Sequence, residues 1–230
     1  RVVQSHVYYV LMIQISDLIP APGALSDKAA DARLTALRAA LPAGDYTAIE
    51  DDLLPYAERI DQAGQKIGSG AEIARISELM TLAQFGAASV GAVIARVCDD
   101  ADAEPVAEAL LVARFLVEVV LAAPGYPALL PGNLLKEHHV DRENASWPDI
   151  EPVCRDLLVR ASEAIHRSDA LDIRISSPPL RKLLARHRME TVRQIARLDK
   201  RDPQAIGARL TGFDRAMISL KLFLRLRGAS

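Results

Sequence analysis

The sequence predicts an all-α protein, and three observations carry that prediction. Ala, Leu and Arg are abundant while aromatics make up only 4% of 230 residues, a balance that favours helix over strand. Apolar residues recur at three- and four-residue spacing, as in Ala30, Leu34, Leu37 and Leu41, and strand-like alternation never persists. Glycine, proline and Asx clusters cut the chain into about eight helical segments with no internal repeat. At this length the segments fit a single domain.

The segments follow in order. The first, at 3–18, ends at the IPAPG stretch at 19–23. Its run VVQSHVYYVLMIQI is interrupted by Gln4, Ser5, His6 and Gln14, so it reads as a buried helix. No apolar run approaches the ~18 residues of a membrane span. Ser26 and Asp27 are N-cap types for a helix to residue 40. LPAGD then breaks the chain before a helix at 46–67, and GSG at 68–70 precedes another at 72–97. Asp99, Asp100 and Asp102 stand where they would cap a helix at 104–121, which Pro124, Gly125 and Pro127 end. A loop at 126–148 follows. Asp149 opens a helix to residue 167, Pro178 and Pro179 start one at 180–198, and the last covers 205–226.

The helix at 72–97 carries Ala83, Ala87, Ala88, Gly91, Ala92 and Ala95 among larger apolar residues. Small side chains permit close backbone approach and suit the centre of a bundle; they also leave room for a ligand.

Charge is unevenly distributed. The net value of −2 conceals 14 Lys/Arg against 5 Asp/Glu in residues 171–230. That third either forms a solvated helix surface or faces an anionic lipid, a diphosphate, nucleic acid or an acidic partner. The runs around Arg181–Arg188 and Arg193–Arg201 hold no aromatic to stack on bases, which disfavours specific nucleic-acid recognition, and none is expected. In the last helix Met217, Leu220, Phe223, Leu224 and Leu226 accompany Lys221, Arg225 and Arg227. That apolar helix with a basic edge is expected to pack on the domain or to meet an anionic membrane surface or a partner groove.

Catalytic motifs are scarce. No P-loop, dinucleotide fingerprint or nucleophile elbow occurs, and GQKIGSG lacks a following Lys-Ser/Thr pair. His138 and His139 lie beside Glu137 and Asp141, but adjacent histidines point apart and no second pair supports them. Loop surface is expected there and no metal. His166 and His187 stand alone. Cys98 and Cys154 are expected as buried apolar residues rather than a disulfide or metal pair. The chain begins at Arg1, so residues upstream, a cleaved leader among the alternatives, are expected.

One stretch carries a resemblance. FGAASVGAVIARV, LVARFLVEVV and YPALLPGNLLKEHHV stand in order between Phe85 and Val140. They resemble the middle of the squalene/phytoene synthase family, where a V-A-G-x-V-G helix precedes an N-x-x-R-D-x-x-x-D helix and an L-P-x-x-x-L loop. Ala87, Val90 and Gly91 match, and Ala88 replaces a glycine. RLTALRAAL at 33–41 and the basic helix after Pro178-Pro179 are similar to further family segments.

The resemblance implies an isoprenoid-synthase-like bundle and places the family's second acidic cluster on Arg114, Glu118, Leu121 and Ala122. The first cluster retains Asp17 alone. Diphosphate ionisation in the family uses Mg²⁺ ions held by facing carboxylates, and one carboxylate per side cannot hold them. The resemblance therefore implies a non-catalytic member without cofactor, similar to the subgroup that includes a mitochondrial complex I assembly factor and related bacterial proteins. It is expected to act as a binding, assembly or structural component of a larger complex, in a mitochondrial matrix or a bacterial cytoplasm. Arg114, Ala88 and Gly91 would then line any lipid or prenyl-diphosphate cavity, unless Leu82, Ala83, Leu121 and Ala122 fill it. The alternative is a divergent Mg²⁺-dependent prenyl-diphosphate transferase using Asp17 and Glu118, with Arg114 either on phosphate or paired to Glu118 one turn away.

Overall fold

The computed structural model describes residues 15–170, 174–200, 203 and 208–228. The stretch at 3–14 and the side chains of Phe223, Leu224, Arg225, Leu226 and Arg227 lie outside it. Among the described residues there is no strand, and eight α-helices follow one another: α1 Lys28–Ala43, α2 Leu54–Gly68, α3 Ile76–Val97, α4 Glu104–Ala122, α5 Gly132–Glu137, α6 Trp147–Arg167, α7 Pro178–Leu198 and α8 Gly212–Gly228. The expected all-α bundle is what forms.

Local chemistry accounts for most boundaries. Asp27 caps α1 by accepting from the amides of Ala29 and Ala30, and Gly44 ends it at φ 63°, the left-handed turn that glycine adopts freely. Ala30, Leu34, Leu37 and Leu41 form its buried stripe. Ser146 and Asp149 close a capping box on α6. The segment at 46–53 is turn rather than helix, so α2 begins at Leu54 with Pro55 in its first turn.

Three features differ from expectation. Asp100 does not cap α4; buried at 3% exposure, its carboxylate accepts from the amides of Ser176 and Ser177 at 2.8 and 2.7 Å and so pins the start of α7. The stretch before His138 is a short helix, α5, anchored where Asn133 accepts from the amide of Ile76 at 2.7 Å. The middle of α3, Ala83–Ala87, winds as a π-turn. There a Cβ on Gly86 would meet Ile15 Cδ1 at 2.4 Å and Ala63 Cβ at 2.7 Å, so the wide turn lies where two neighbours press in.

The core is α3 and α4, wrapped by α2, α6 and α7. Every residue of α4 from Leu110 to Ala113 and from Phe115 to Val117 is buried, so this helix is apolar around nearly its whole circumference. Helix α3 is long and apolar enough to cross a membrane by length and composition, which the sequence reading had not found; 72% of its apolar window is buried inside the fold. Gly91 explains how the two helices approach, because a Cβ there would sit 2.6 Å from the backbone of Ala107 and Glu108. Cys98 and Cys154 are free thiols, and burial pushes both up to about 12.

Candidate functional site

Arg114 and Glu118, one turn apart on α4, form one wall of a cleft of about 120 Å³. Spacings of three and four put Val117 and Leu121 on the same wall. Helix α7 supplies the second wall with Glu190, Thr191 and Gln194. Arg209 and Leu210, before α8, and Arg215, in its first turn, complete the cleft.

The α7 wall is built on an interrupted apolar stripe. Leu180, Leu184 and Leu198 are buried, and so are His187, Thr191 and Gln194 between them on the same face. Buried polar groups need partners, and Gln194 and Thr191 find theirs. Gln194 Nε2 donates to the carbonyl of Ala208 at 2.5 Å, and its Oε1 accepts from the amide of Leu210 at 3.0 Å, clamping the connection to α8. Thr191 Oγ1 donates to the carbonyl of His187 at 2.8 Å.

His187 is the other half of an interhelix pair, since Arg114 Nη1 reaches its Nδ1. A guanidinium only donates, so Nδ1 accepts and the neutral ring carries its proton on Nε2. Burial, followed by the charges of Arg114 and Arg186, holds the imidazole well below its ordinary value of 6.5. Nε2 has no hydrogen-bond partner among the described residues.

Charges in the cleft pair across helices. Arg114 lies 3.9 Å from Glu190, which also meets Arg186 at 3.0 Å. Glu118 lies 3.8 Å from Arg209. The intrahelical Arg114–Glu118 pair, open to the sequence reading, is thus replaced by partners from α7 and the connection to α8. Arg215 alone of the cleft's cations has no ion-pair partner among the described residues.

Chemically the cleft is small and nearly neutralised. It has room for a few water molecules or a small anion, against the ~300–1,000 Å³ that encloses a drug-sized ligand. Each of its carboxylates already faces an arginine.

The other sequence-derived candidates lie elsewhere. Asp17 sits in a 3₁₀ turn, Ile15–Leu18, with its side chain 64% exposed and 3.7 Å from Arg38 of α1. It does not line the cleft, and no described ion pair or hydrogen bond joins it to Glu118. Ala88 and Gly91 are buried in the α3 core, Gly91 closed over by α4 backbone. Leu82, Ala83 and Leu121 are buried as well.

His138 and His139, with Asp141, border an open groove of about 440 Å³ between α5 and α6. His138 Nε2 pairs with Asp156 at 3.0 Å. Among the described residues no three His, Cys, Asp or Glu side chains are grouped to hold a metal ion.

Among the described residues, several cations of the C-terminal third have structural partners. Arg193 and Arg197 both bind Asp214, at 2.8 and 2.6 Å. Arg188 binds Asp169, and Arg181 donates to the carbonyl of Ile175. His187, expected to stand alone, is instead joined to Arg114, and sequence reading missed Glu190, Gln194 and Arg209. A readable signal existed for α7, where His187, Thr191 and Gln194 stand at apolar-stripe spacing; none existed for Arg209, whose partner comes from α4.

Comparison of the chain with family models, with curated proteins and with solved structures returns no match.

Proposed function

We propose that this protein is a non-catalytic, squalene/phytoene synthase-like helical protein that serves as a binding or assembly component of a larger complex. One observation carries the reading: the carboxylates remaining at the two positions where the resemblance expects metal-binding clusters are single, separate and neutralised. Asp17 pairs with Arg38, and Glu118 pairs with Arg209. Mg²⁺ prefers several hard oxygens at short range around one octahedral ion, and an arginine beside a lone carboxylate opposes a second positive charge. Arg114 further supports the reading, because it ties α4 to α7 through His187 and Glu190 instead of facing solvent.

The test is thermal stability with farnesyl diphosphate, with and without Mg²⁺. A ligand that binds only the folded state raises the melting temperature by mass action. The expected result is no shift that depends on Mg²⁺. A Mg²⁺-dependent rise that disappears in Asp17→Ala or Glu118→Ala would instead establish the divergent prenyl-diphosphate transferase.

A further inference from the structure

Helix α8 has two apolar faces, and only one meets the rest of the fold. Asp214, Ile218 and Leu222 recur every four residues, are buried, and lie against α7. Phe213, Met217 and Leu220 recur at spacings of four and three on the side turned away. Phe213 is 73% and Leu220 49% exposed, and Ala216 between them is exposed too. Both large residues stand among the few exposed large hydrophobic side chains described in the molecule.

One flank of this stripe is cationic and uncommitted. Lys221 borders the stripe, exposed and with no ion-pair partner among the described residues, whereas Arg215, equally unpaired, lies on the cleft side of the helix. Their α7 neighbours Arg193 and Arg197, by contrast, converge on Asp214. From Arg215 to Ser230 the sequence holds no Asp or Glu. The outward half of α8 therefore offers apolar area edged by positive charge with no compensating acid.

We propose that this face of α8 docks the protein onto an anionic lipid surface. An interfacial helix lays an aromatic and aliphatic stripe at the acyl boundary while its cations reach the headgroups. A second copy of the chain fits less well, since a two-fold contact through this face would bring two Lys221 cations into one interface with no acid from Arg215 onward to meet them. A protein groove also fits less well, because lysine is depleted from such interfaces. The inference does not rest on the proposed assembly role, and its test contains no prenyl diphosphate or Mg²⁺, so either can fail alone.

The experiment is flotation of the full chain with phosphatidylcholine vesicles, with and without phosphatidylglycerol. Wild type is expected to float only with the anionic vesicles and to be released by high salt. Phe213→Ser with Leu220→Ser should lower partitioning at least about tenfold, and Lys221→Glu at least about fivefold, with far-ultraviolet dichroism unchanged. Val159→Ser, which removes another exposed apolar side chain, should float like wild type. Absence of binding to anionic vesicles, equal binding to neutral ones, or unchanged binding by the double variant overturns the proposal. A concentration-dependent dimer that the double variant abolishes overturns it in favour of a second copy.

Discussion

Between α3 and α4 the joint is made by a missing side chain: Gly91 lets the backbone of Ala107 and Glu108 come so close that a Cβ would lie 2.6 Å away. Between α7 and α8 it is made by a charge. Asp214 accepts from Arg193, Arg197 and both the amide and hydroxyl of Thr211, with Gln194 bracing the connection beside it. At Gly91 the first joint depends on volume rather than on charge. The second is directional and depends on ionisation. Apolar packing determines whether the bundle forms, and the polar joint determines how its last helix is held.

The largest effects should come from the apolar joint. Phe115→Ala, at a fully buried α4 position, should lower the unfolding free energy by about 3–5 kcal/mol. Gly91→Ala should cost about 1–3 kcal/mol through overpacking, since the atoms it meets are backbone and cannot rotate aside. Urea titration at several pH values should give the same losses throughout, and a pH-dependent loss would break the distinction.

Asp214 should behave the opposite way. Hydrogen bonds from Thr211, followed by Arg197, hold its carboxyl far below the ordinary value of 3.8. A depressed folded-state pKa contributes stability above the unfolded-state value and loses it as pH falls through the folded one. Asp214→Asn should therefore lower hydrogen-exchange protection of α8 at neutral pH, with the difference from wild type closing in acid. A difference that persists undiminished in acid would show that the charge does not hold the joint.

His187 sharpens the comparison at milder pH. Its folded-state pKa lies well below 6.5, so below that value the unfolded chain takes up a proton that the folded one refuses. Stability should decline as pH falls from 6.5, and His187→Gln should flatten that decline in thermal melts. A slope unchanged by the substitution would place its origin elsewhere. The smallest effect belongs to Asp17→Ala, which breaks an exposed pair with Arg38 and should cost under about 1 kcal/mol in the same melts.

Local features were legible in the sequence, and long-range partners were not. The α1 stripe of Ala30, Leu34, Leu37 and Leu41 and the Asp27 cap could be read because their physics acts within one or two helical turns. Asp100 was misread as a local cap, because its partners lie 76 and 77 residues away. The π-turn at Ala83–Ala87 has no signature of its own, since it coincides with the approach of Ile15 and Ala63 to Gly86. Short α5 was hidden behind the Pro131-Gly132 pair that begins it. In the cleft, Arg114 and Glu118 could be located on one helix, but their partners are set by how α7 and the connection to α8 pack beside it.

The two thiols turn the bundle into its own clock. Burial pushes the thiols of Cys154, 1% exposed on α6, and of half-buried Cys98, where α3 ends, up to about 12. Alkylating reagents attack the thiolate, so at neutral pH buried Cys154 waits for its surroundings to part, while half-buried Cys98 reacts slowly without that opening. Timed quenching and peptide mass then read the opening around Cys154 against Cys98 as reference, with no probe introduced into the chain.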